Sequence, residues 1–215
     1  MKKSLYSLFR TIIEIILFLV SGVAIFVEFF SSSSVENGLQ LLSFYTMQTN
    51  IMVFICMGFL VYCSLFKKKR TKASYFFIGG IAIWIMITGV LYHIFLSSIH
   101  NPSGIKSITN VLLHYVVPWS MVGYFVVFYD KRYINWIFPL LWTSYPIVYL
   151  IISLIRGKFQ GFYPYWFINP TAEYPAGIGG MLNVFWFSCA ITVCFVVAGY
   201  ILLALRYVLS RKIRL

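Results

Sequence analysis

Charged residues are scarce in this sequence. Asp, Glu, Lys and Arg together make up 10% of its 215 residues, and only five residues are acidic. Hydrophobic residues make up 61%. A soluble domain carries about 25% charged residues. The composition therefore excludes the ordinary soluble classes and indicates that lipid surrounds most of the chain.

Cysteine pairs at metal-ligand spacing are also missing. Cys56, Cys63, Cys189 and Cys194 form no Cys-x-x-Cys pair, and no histidine stands at a zinc-like offset from them. All four fall inside apolar stretches. We therefore expect them to be buried apolar side chains that form no disulfide and bind no metal, and we expect no cofactor.

Six apolar runs are long enough to cross a bilayer, whose hydrocarbon core needs roughly 20 helical residues. They cover residues 11–30, 41–66, 75–96, 108–128, 134–155 and 181–205. No internal repeat or inverted symmetry relates the two halves, which disfavours a secondary transporter. The sequence predicts an all-α integral membrane protein that forms a single six-helix bundle over residues 1–215.

Basic residues are unevenly divided between the two sides on which six spans place the loops. Fourteen of the 17 Lys and Arg residues fall on the side of the termini, and three fall on the other: Lys106, Arg156 and Lys158. The positive-inside rule then predicts a multi-pass cell-membrane protein with cytoplasmic N and C termini. It also favours anionic headgroups, rather than nucleic acid, as partners of the basic excess.

Polar side chains inside the spans concentrate near the outer ends of the helices. The layer comprises Glu28, Thr46, Asn50, His93, Asn110, His114 and Asn183, whereas the inner half offers mainly Glu14. Because such groups are costly in hydrocarbon, we expect the face that carries Thr46 and Asn50 and the face that carries Asn110 and His114 to look into the bundle. Thr46 shares a helix face with Asn50, and Asn110 shares one with His114.

Thr46 and His114 lie at similar depth, roughly 8 to 10 Å below the outer boundary at 1.5 Å per residue. An imidazole that takes the proton of a hydroxyl turns it into a nucleophile, so this pair suits acyl transfer or ester hydrolysis. Glu28, His93 or Asn110 are candidates to orient the histidine. Asn50, Asn183 or main-chain amides are candidates to donate to an oxyanion.

The residue types leave two other functions open. His93, His114 and Glu28 form a ligand set typical of metallohydrolases. A non-enzymatic carrier or lipid-binding protein would instead use the buried polar groups to hold a ligand.

The segment 156–180 mixes turn-forming and aromatic residues and includes the run Tyr163-Pro164-Tyr165-Trp166-Phe167. Its prolines and glycines disfavour a helix. It is either an aromatic belt at the membrane interface or a folded lid over the polar layer. In the second case Tyr163 is a candidate to contact substrate.

Three segments resemble the androgen-induced-gene family, which includes the androgen-dependent TFPI-regulating proteins and prokaryotic six-span proteins. They are Phe44-Tyr45-Thr46-Met47-Gln48-Thr49-Asn50, Asn110-x-x-x-His114 followed by Pro118, and Tyr163-Pro164-Tyr165-Trp166-Phe167 ahead of Gly177. The likeness covers the whole chain in order and span count.

This resemblance carries a functional expectation. Animal members of the family are threonine hydrolases that cleave fatty acid esters of hydroxy fatty acids inside the membrane. By motif, the resemblance implies that Thr46 is the nucleophile and His114 the catalytic histidine. It also implies a lipid or acyl-ester substrate.

Overall fold

A computed structural model describes residues 2–212, with side chains for residues 5–210, and every regular element in that range is helical. Six helices are long and apolar enough to cross a membrane: Leu5–Phe30, Tyr45–Leu65, Lys72–Leu96, Ile105–Phe128, Phe138–Gln160 and Met181–Ser210. The predicted all-α class with six spans is confirmed. This is the architecture of a multi-pass membrane protein.

The spans are built from longer and shorter helical pieces. In chain order they are α1 (Lys2–Phe30), α2 (Val35–Leu41), α3 (Tyr45–Leu65), α4 (Lys72–Leu91), α5 (Ile105–Val111), α6 (Val117–Phe128), α7 (Phe138–Leu141), α8 (Ser144–Gln160) and α9 (Met181–Lys212). Two π-helical turns extend them. Tyr92–Leu96 continues α4, and Leu112–Val116 joins α5 to α6.

The fifth span differs most from its predicted position. It was predicted at 134–155, but it starts at Phe138 and ends at Gln160. Pro139 occupies the first turn of α7, where its missing N–H is not needed. The helix stops where Gly161 adopts the left-handed conformation that suits glycine. The loop 156–180 is therefore helical over its first five residues.

The chain divides into two compact units, residues 1–135 with 202–215 and residues 136–201. In the first unit α1 packs mainly against α3, and α4 packs against α3 and α6. The second unit contains α7, α8 and the first part of α9. The expectation of a single domain stays a prediction.

Two glycines allow α1 and α3 to approach each other closely. The ring of Phe54 fills the space where a Cβ on Gly22 would lie, and the ring of Phe18 does the same at Gly58. The two rings stack with their centroids 4.6 Å apart. Small residues that let helices approach are typical of membrane helix interfaces, where packing drives association.

A buried ionic cluster lies at one end of the first unit. This Glu14 cluster comprises Glu14, Ser64, Arg70 and Tyr124. The fully buried carboxylate of Glu14 accepts hydrogen bonds from Arg70 at 2.7 Å, Ser64 at 2.7 Å and Tyr124 at 2.6 Å. The cluster therefore joins α1, α3, α6 and the turn that precedes α4.

The charge of Arg70 is maintained by its neighbours. Burial lowers the pKa of Arg70, but the nearby oxygens of Tyr124 and Glu14 outweigh burial and raise that pKa above its ordinary value. A charged guanidinium so placed offsets the buried carboxylate.

Two of the 14 Lys and Arg residues counted on the side of the termini, Arg70 and Arg206, have buried side chains. The side chain of Arg70 is only 6% exposed, and Arg206 donates to the carbonyls of Tyr129 and Val126 at the end of α6. These carbonyls have no hydrogen-bond donor within a helix, and the guanidinium of Arg206 provides the donors. Five others in the count lie outside the residues whose side chains are described: Lys2, Lys3, Arg211, Lys212 and Arg214.

All four cysteines are free. Cys56 and Cys63 are buried as expected, and Cys189 is half-buried. For Cys194 the expectation of burial was wrong, because its side chain is exposed. A cysteine behaves as a small apolar side chain, so it can face lipid at an exposed position of a membrane span.

Replacing Glu14 by Ala should destabilise the protein by about 3 to 5 kcal/mol, because the Arg70 guanidinium would remain buried without its counter-charge. The unfolding midpoint in detergent micelles measures the effect. Glu36→Ala is the matched control, because Glu36 is an exposed carboxylate on α2. Equal midpoints for the two variants would contradict this account of the cluster.

Candidate functional site

Thr46 and His114 come together at the other end of the first unit. Thr46 lies in the first turn of α3, and His114 lies in the π-helical turn Leu112–Val116. The distance from Thr46 Oγ1 to His114 Nε2 is 3.3 Å. The two side chains, 68 residues apart in sequence, are therefore within hydrogen-bond reach of each other.

The hydrogen bond of the second ring nitrogen of His114 indicates which nitrogen carries the proton. Nδ1 lies 3.0 Å from the main-chain carbonyl oxygen of Asn110. Because a carbonyl can only accept, Nδ1 carries the proton, and the neutral ring then has its lone pair on Nε2. Thr46 accordingly donates its hydroxyl hydrogen to Nε2. This is the arrangement in which an imidazole activates a hydroxyl.

Pro118 leaves a backbone carbonyl next to His114 without its helical hydrogen-bond donor. In the π-helical turn the N–H of Val117 donates to Leu112, and Pro118 has no N–H. The carbonyl of Leu113 is left without a helical donor, and Asn50 Nδ2 donates to it at 3.1 Å. Asn50 thereby supplies from α3 the bond that Pro118 removes.

Asn50 also fixes the position of Thr46. The same Nδ2 atom donates to the carbonyl of Thr46 at 2.8 Å. One fully buried amide group therefore links the main chain of Thr46 to that of Leu113, the residue before His114. This pair of bonds holds the hydroxyl and the imidazole in register.

Gly89 lets α4 approach the histidine. A Cβ on Gly89 would lie 2.9 Å from the carbonyl oxygen of His114 and 3.3 Å from the ring of Pro118. Any larger residue would push α4 and the π-helical turn apart. The glycine is therefore part of what positions His114.

Tyr92 covers one face of the His114 ring. The two ring centroids are 3.8 Å apart, the ring planes differ by 21°, and Tyr92 is 4% exposed. Its hydroxyl accepts a hydrogen bond from Asn110 Nδ2 at 2.7 Å. Sequence reasoning missed Tyr92, because it is one of 16 tyrosines and no spacing singled it out.

The two candidate oxyanion donors have their amide hydrogens engaged elsewhere. Asn50 Nδ2 donates to two carbonyls, as described above. In the second unit, Asn183 Nδ2 donates to the carbonyls of Ile178 at 2.9 Å and Gly179 at 3.2 Å. Neither amide has a further hydrogen for an oxyanion.

Two amide oxygens beside the pair are buried without a hydrogen-bond partner among residues 5–210. They are Oδ1 of Asn50 and Oδ1 of Asn110. Buried polar atoms in proteins are nearly always paired, so both oxygens are free to accept a hydrogen bond from a group outside the protein. The main-chain carbonyl of Asn110, rather than its side chain, orients His114.

The other two candidates to orient the histidine make different contacts. Glu28 accepts a hydrogen bond from the hydroxyl of Thr109, which joins the end of α1 to α5. His93 is exposed, and its Nδ1 lies 3.2 Å from the hydroxyl of Tyr115. His93 and buried Tyr92 are adjacent in one helical turn and point to different sides, so it is Tyr92 that contacts His114.

A metal site made of His93, His114 and Glu28 is not formed. No three His, Cys, Asp or Glu side chains converge on a possible metal position anywhere in the part of the chain that the structure describes. The candidate ligands are separated because His93 faces outward and Glu28 is held by Thr109.

Tyr163 belongs to the second unit. Its ring packs directly on α8 at Gly157, where a Cβ would lie 2.0 Å from the ring. Glycine at 157 is therefore required for this packing.

A polar groove of about 270 Å³ opens at the Thr46 end of the first unit. It is lined by Ser32, Ser33, Asn37, Gln40, Leu41, Phe44 and Lys106. Phe44 immediately precedes α3, so the groove lies close in the chain to Thr46. Its polar lining suits water or a polar head group.

Comparisons with protein-family models, curated proteins and solved structures find no match to this chain. The proposed role of the Thr46–His114 pair therefore depends on its geometry and on the resemblance of its motifs.

Gly89→Ala should lower stability by about 1 to 3 kcal/mol, because the new methyl group has to displace the carbonyl of His114 or the ring of Pro118. Gly123→Ala is the matched control, because a Cβ there meets nothing within 4 Å. Unfolding midpoints in detergent compare the two. A Gly89 variant as stable as the Gly123 variant would contradict the close contact.

Proposed function

We propose that this protein is an intramembrane lipid esterase in which Thr46 is the nucleophile and His114 the general base. The 3.3 Å contact between Thr46 Oγ1 and His114 Nε2, with Nδ1 held by the Asn110 carbonyl, carries the proposal. A hydroxyl that donates to an unprotonated imidazole nitrogen is poised for attack on a carbonyl carbon.

The first step acylates Thr46. His114 Nε2 takes the hydroxyl proton as Oγ1 bonds to the ester carbonyl carbon, and the carbonyl electron pair moves onto its oxygen. The tetrahedral intermediate then collapses. The carbon–oxygen bond to the alcohol breaks, and the alcohol leaves with the proton from Nε2.

The second step regenerates the hydroxyl. A water molecule gives a proton to Nε2 as its oxygen bonds to the acyl carbon, and collapse releases the fatty acid while Thr46 Oγ1 regains the proton. The unpartnered Oδ1 atoms of Asn50 and Asn110 are acceptors that can hold this water.

The position of the pair favours a lipid substrate. Thr46 and His114 both lie in helices with the length and hydropathy of membrane spans, Tyr45–Leu65 and Ile105–Phe128. An acyl chain can reach such a site laterally from the bilayer. The motif resemblance points to the androgen-induced-gene family and, within this class, to fatty acid esters of hydroxy fatty acids.

Charge distribution supports an orientation for the protein. The exposed lysines Lys67–Lys69 lie in the turn after α3, at the end of the first unit opposite to Thr46. Placing them at the anionic cytoplasmic headgroups of the cell membrane puts both termini in the cytoplasm and the Thr46 end in the extracytoplasmic half.

A long-chain alkyl fluorophosphonate should label the wild-type protein at Thr46. An activated hydroxyl attacks the phosphorus atom of the reagent in the same way as it attacks the carbonyl carbon of an ester. Thr46→Ala and His114→Ala should each reduce the labelling rate at least about 100-fold. Thr46→Ser should retain it. Gel fluorescence and peptide mass spectrometry measure the rate and the site.

Thr192→Ala is the control for these variants, because the Thr192 hydroxyl only bonds the carbonyl of Ser188 in its own helix. Labelling that persists in both Thr46→Ala and His114→Ala would exclude the mechanism. Failure of the wild type to label or to hydrolyse any long-chain ester would favour a carrier or lipid-binding protein instead.

The orientation has its own test. In a cysteine-free background, Ser33→Cys should react with a membrane-impermeant maleimide in intact cells, whereas Lys68→Cys should react only after lysis. Both parent side chains are exposed. The reverse pattern would invert the topology and place the Thr46 end in the cytoplasmic half.

A further inference from the structure

The proposed ester chemistry leaves one requirement open, a hydrogen-bond donor for the oxyanion. An oxygen that gains negative charge in a water-poor site needs such a donor already in place. Asn50 has no hydrogen left for it, since its amide donates to the carbonyls of Thr46 and Leu113. Main-chain amides and the other side chains around His114 remain as candidate donors.

Tyr92 is such a donor. Its ring stacks on the imidazole of His114 at a centroid separation of 3.8 Å. Its hydroxyl oxygen accepts a hydrogen from Asn110 Nδ2, which uses a lone pair and leaves the phenol hydrogen available. Across the described side chains, nothing accepts that hydrogen, although Tyr92 is only 4% exposed.

Asn110 determines where the phenol hydrogen points. Because Asn110 donates to the phenol oxygen, the hydrogen of Tyr92 cannot lie along the same direction and is turned away from the amide. A buried hydroxyl with an unused hydrogen is unusual, since buried polar groups are normally paired. The phenol hydrogen next to the proposed base is therefore available to a group that forms there during the reaction.

We propose that Tyr92 donates this hydrogen to the oxyanion formed when Thr46 attacks the ester. The phenol proton stays on Tyr92 throughout. It stabilises the negative oxygen while the carbonyl electron pair resides there, and the bond weakens when that pair returns to re-form the carbonyl. This role rests on the proposed esterase function and adds Tyr92 to the residues that contact the reacting atoms.

Tyr92→Phe removes the hydroxyl and keeps the ring over His114. Hydrolysis of a long-chain ester should lose at least about 100-fold in kcat with KM changed less than about threefold, as for other single oxyanion donors. Tyr115→Phe is the matched control, because the Tyr115 hydroxyl contacts the exposed His93 rather than His114. It should retain wild-type kcat.

A second measurement separates an oxyanion donor from a packing residue. A long-chain alkyl trifluoromethyl ketone forms a charged tetrahedral adduct with an active hydroxyl, whereas the corresponding alcohol only occupies the acyl site. Tyr92→Phe should weaken inhibition by the ketone at least about 30-fold and leave inhibition by the alcohol unchanged. A residue that only packs would weaken both equally.

Three outcomes decide the proposal. Selective loss of kcat and of ketone inhibition supports it. Wild-type kcat in Tyr92→Phe, or equal weakening of ketone and alcohol, overturns it while the Thr46–His114 mechanism stands. If the wild-type protein neither hydrolyses esters nor labels at Thr46, the proposed function and this role of Tyr92 fall together.

Discussion

A backbone carbonyl inside the hydrocarbon region is costly unless the protein itself supplies a hydrogen-bond donor, and the candidate site depends on how this donor is supplied at one proline. Pro118 removes the donor that the carbonyl of Leu113 would otherwise use. Asn50 replaces it from α3 and binds the carbonyl of Thr46 with the same amide group. The hydrogen bond that replaces the missing donor thus links α3, which carries Thr46, to the π-helical turn that carries His114.

The two ends of the first unit differ in how far their buried polar groups are paired. In the Glu14 cluster the carboxylate receives three short hydrogen bonds, from Arg70, Ser64 and Tyr124. These bonds connect the helices around it. Around Thr46 and His114 two buried amide oxygens lack partners. Unsatisfied groups cost stability, and a protein retains them where a ligand or water completes the set during function.

Depth along a helix could be predicted from the sequence, but the direction of a side chain around the helix could not. The rise of about 1.5 Å per residue placed Thr46 and His114 in one layer. The same reasoning placed His93 there, yet His93 is exposed and its neighbour Tyr92 is buried against His114. A π-helical turn changes the angular register of the residues it contains, and its position depends on packing and on the backbone bonds available.

By itself the sequence determined that the chain is a six-span helical membrane protein and predicted that Thr46 and His114 lie at similar depth, because both follow from hydrophobic length and from the rise of the helix. Only the tertiary structure decided that Nδ1 of His114 is held by a carbonyl, that both amide hydrogens of Asn50 are engaged, and that Tyr92 lies over the imidazole. These features depend on contacts between residues far apart in the chain, such as Thr46 and His114. They depend on how each helix is rotated and on how closely helices approach, as α4 does to His114 at Gly89, and no local pattern encodes either one.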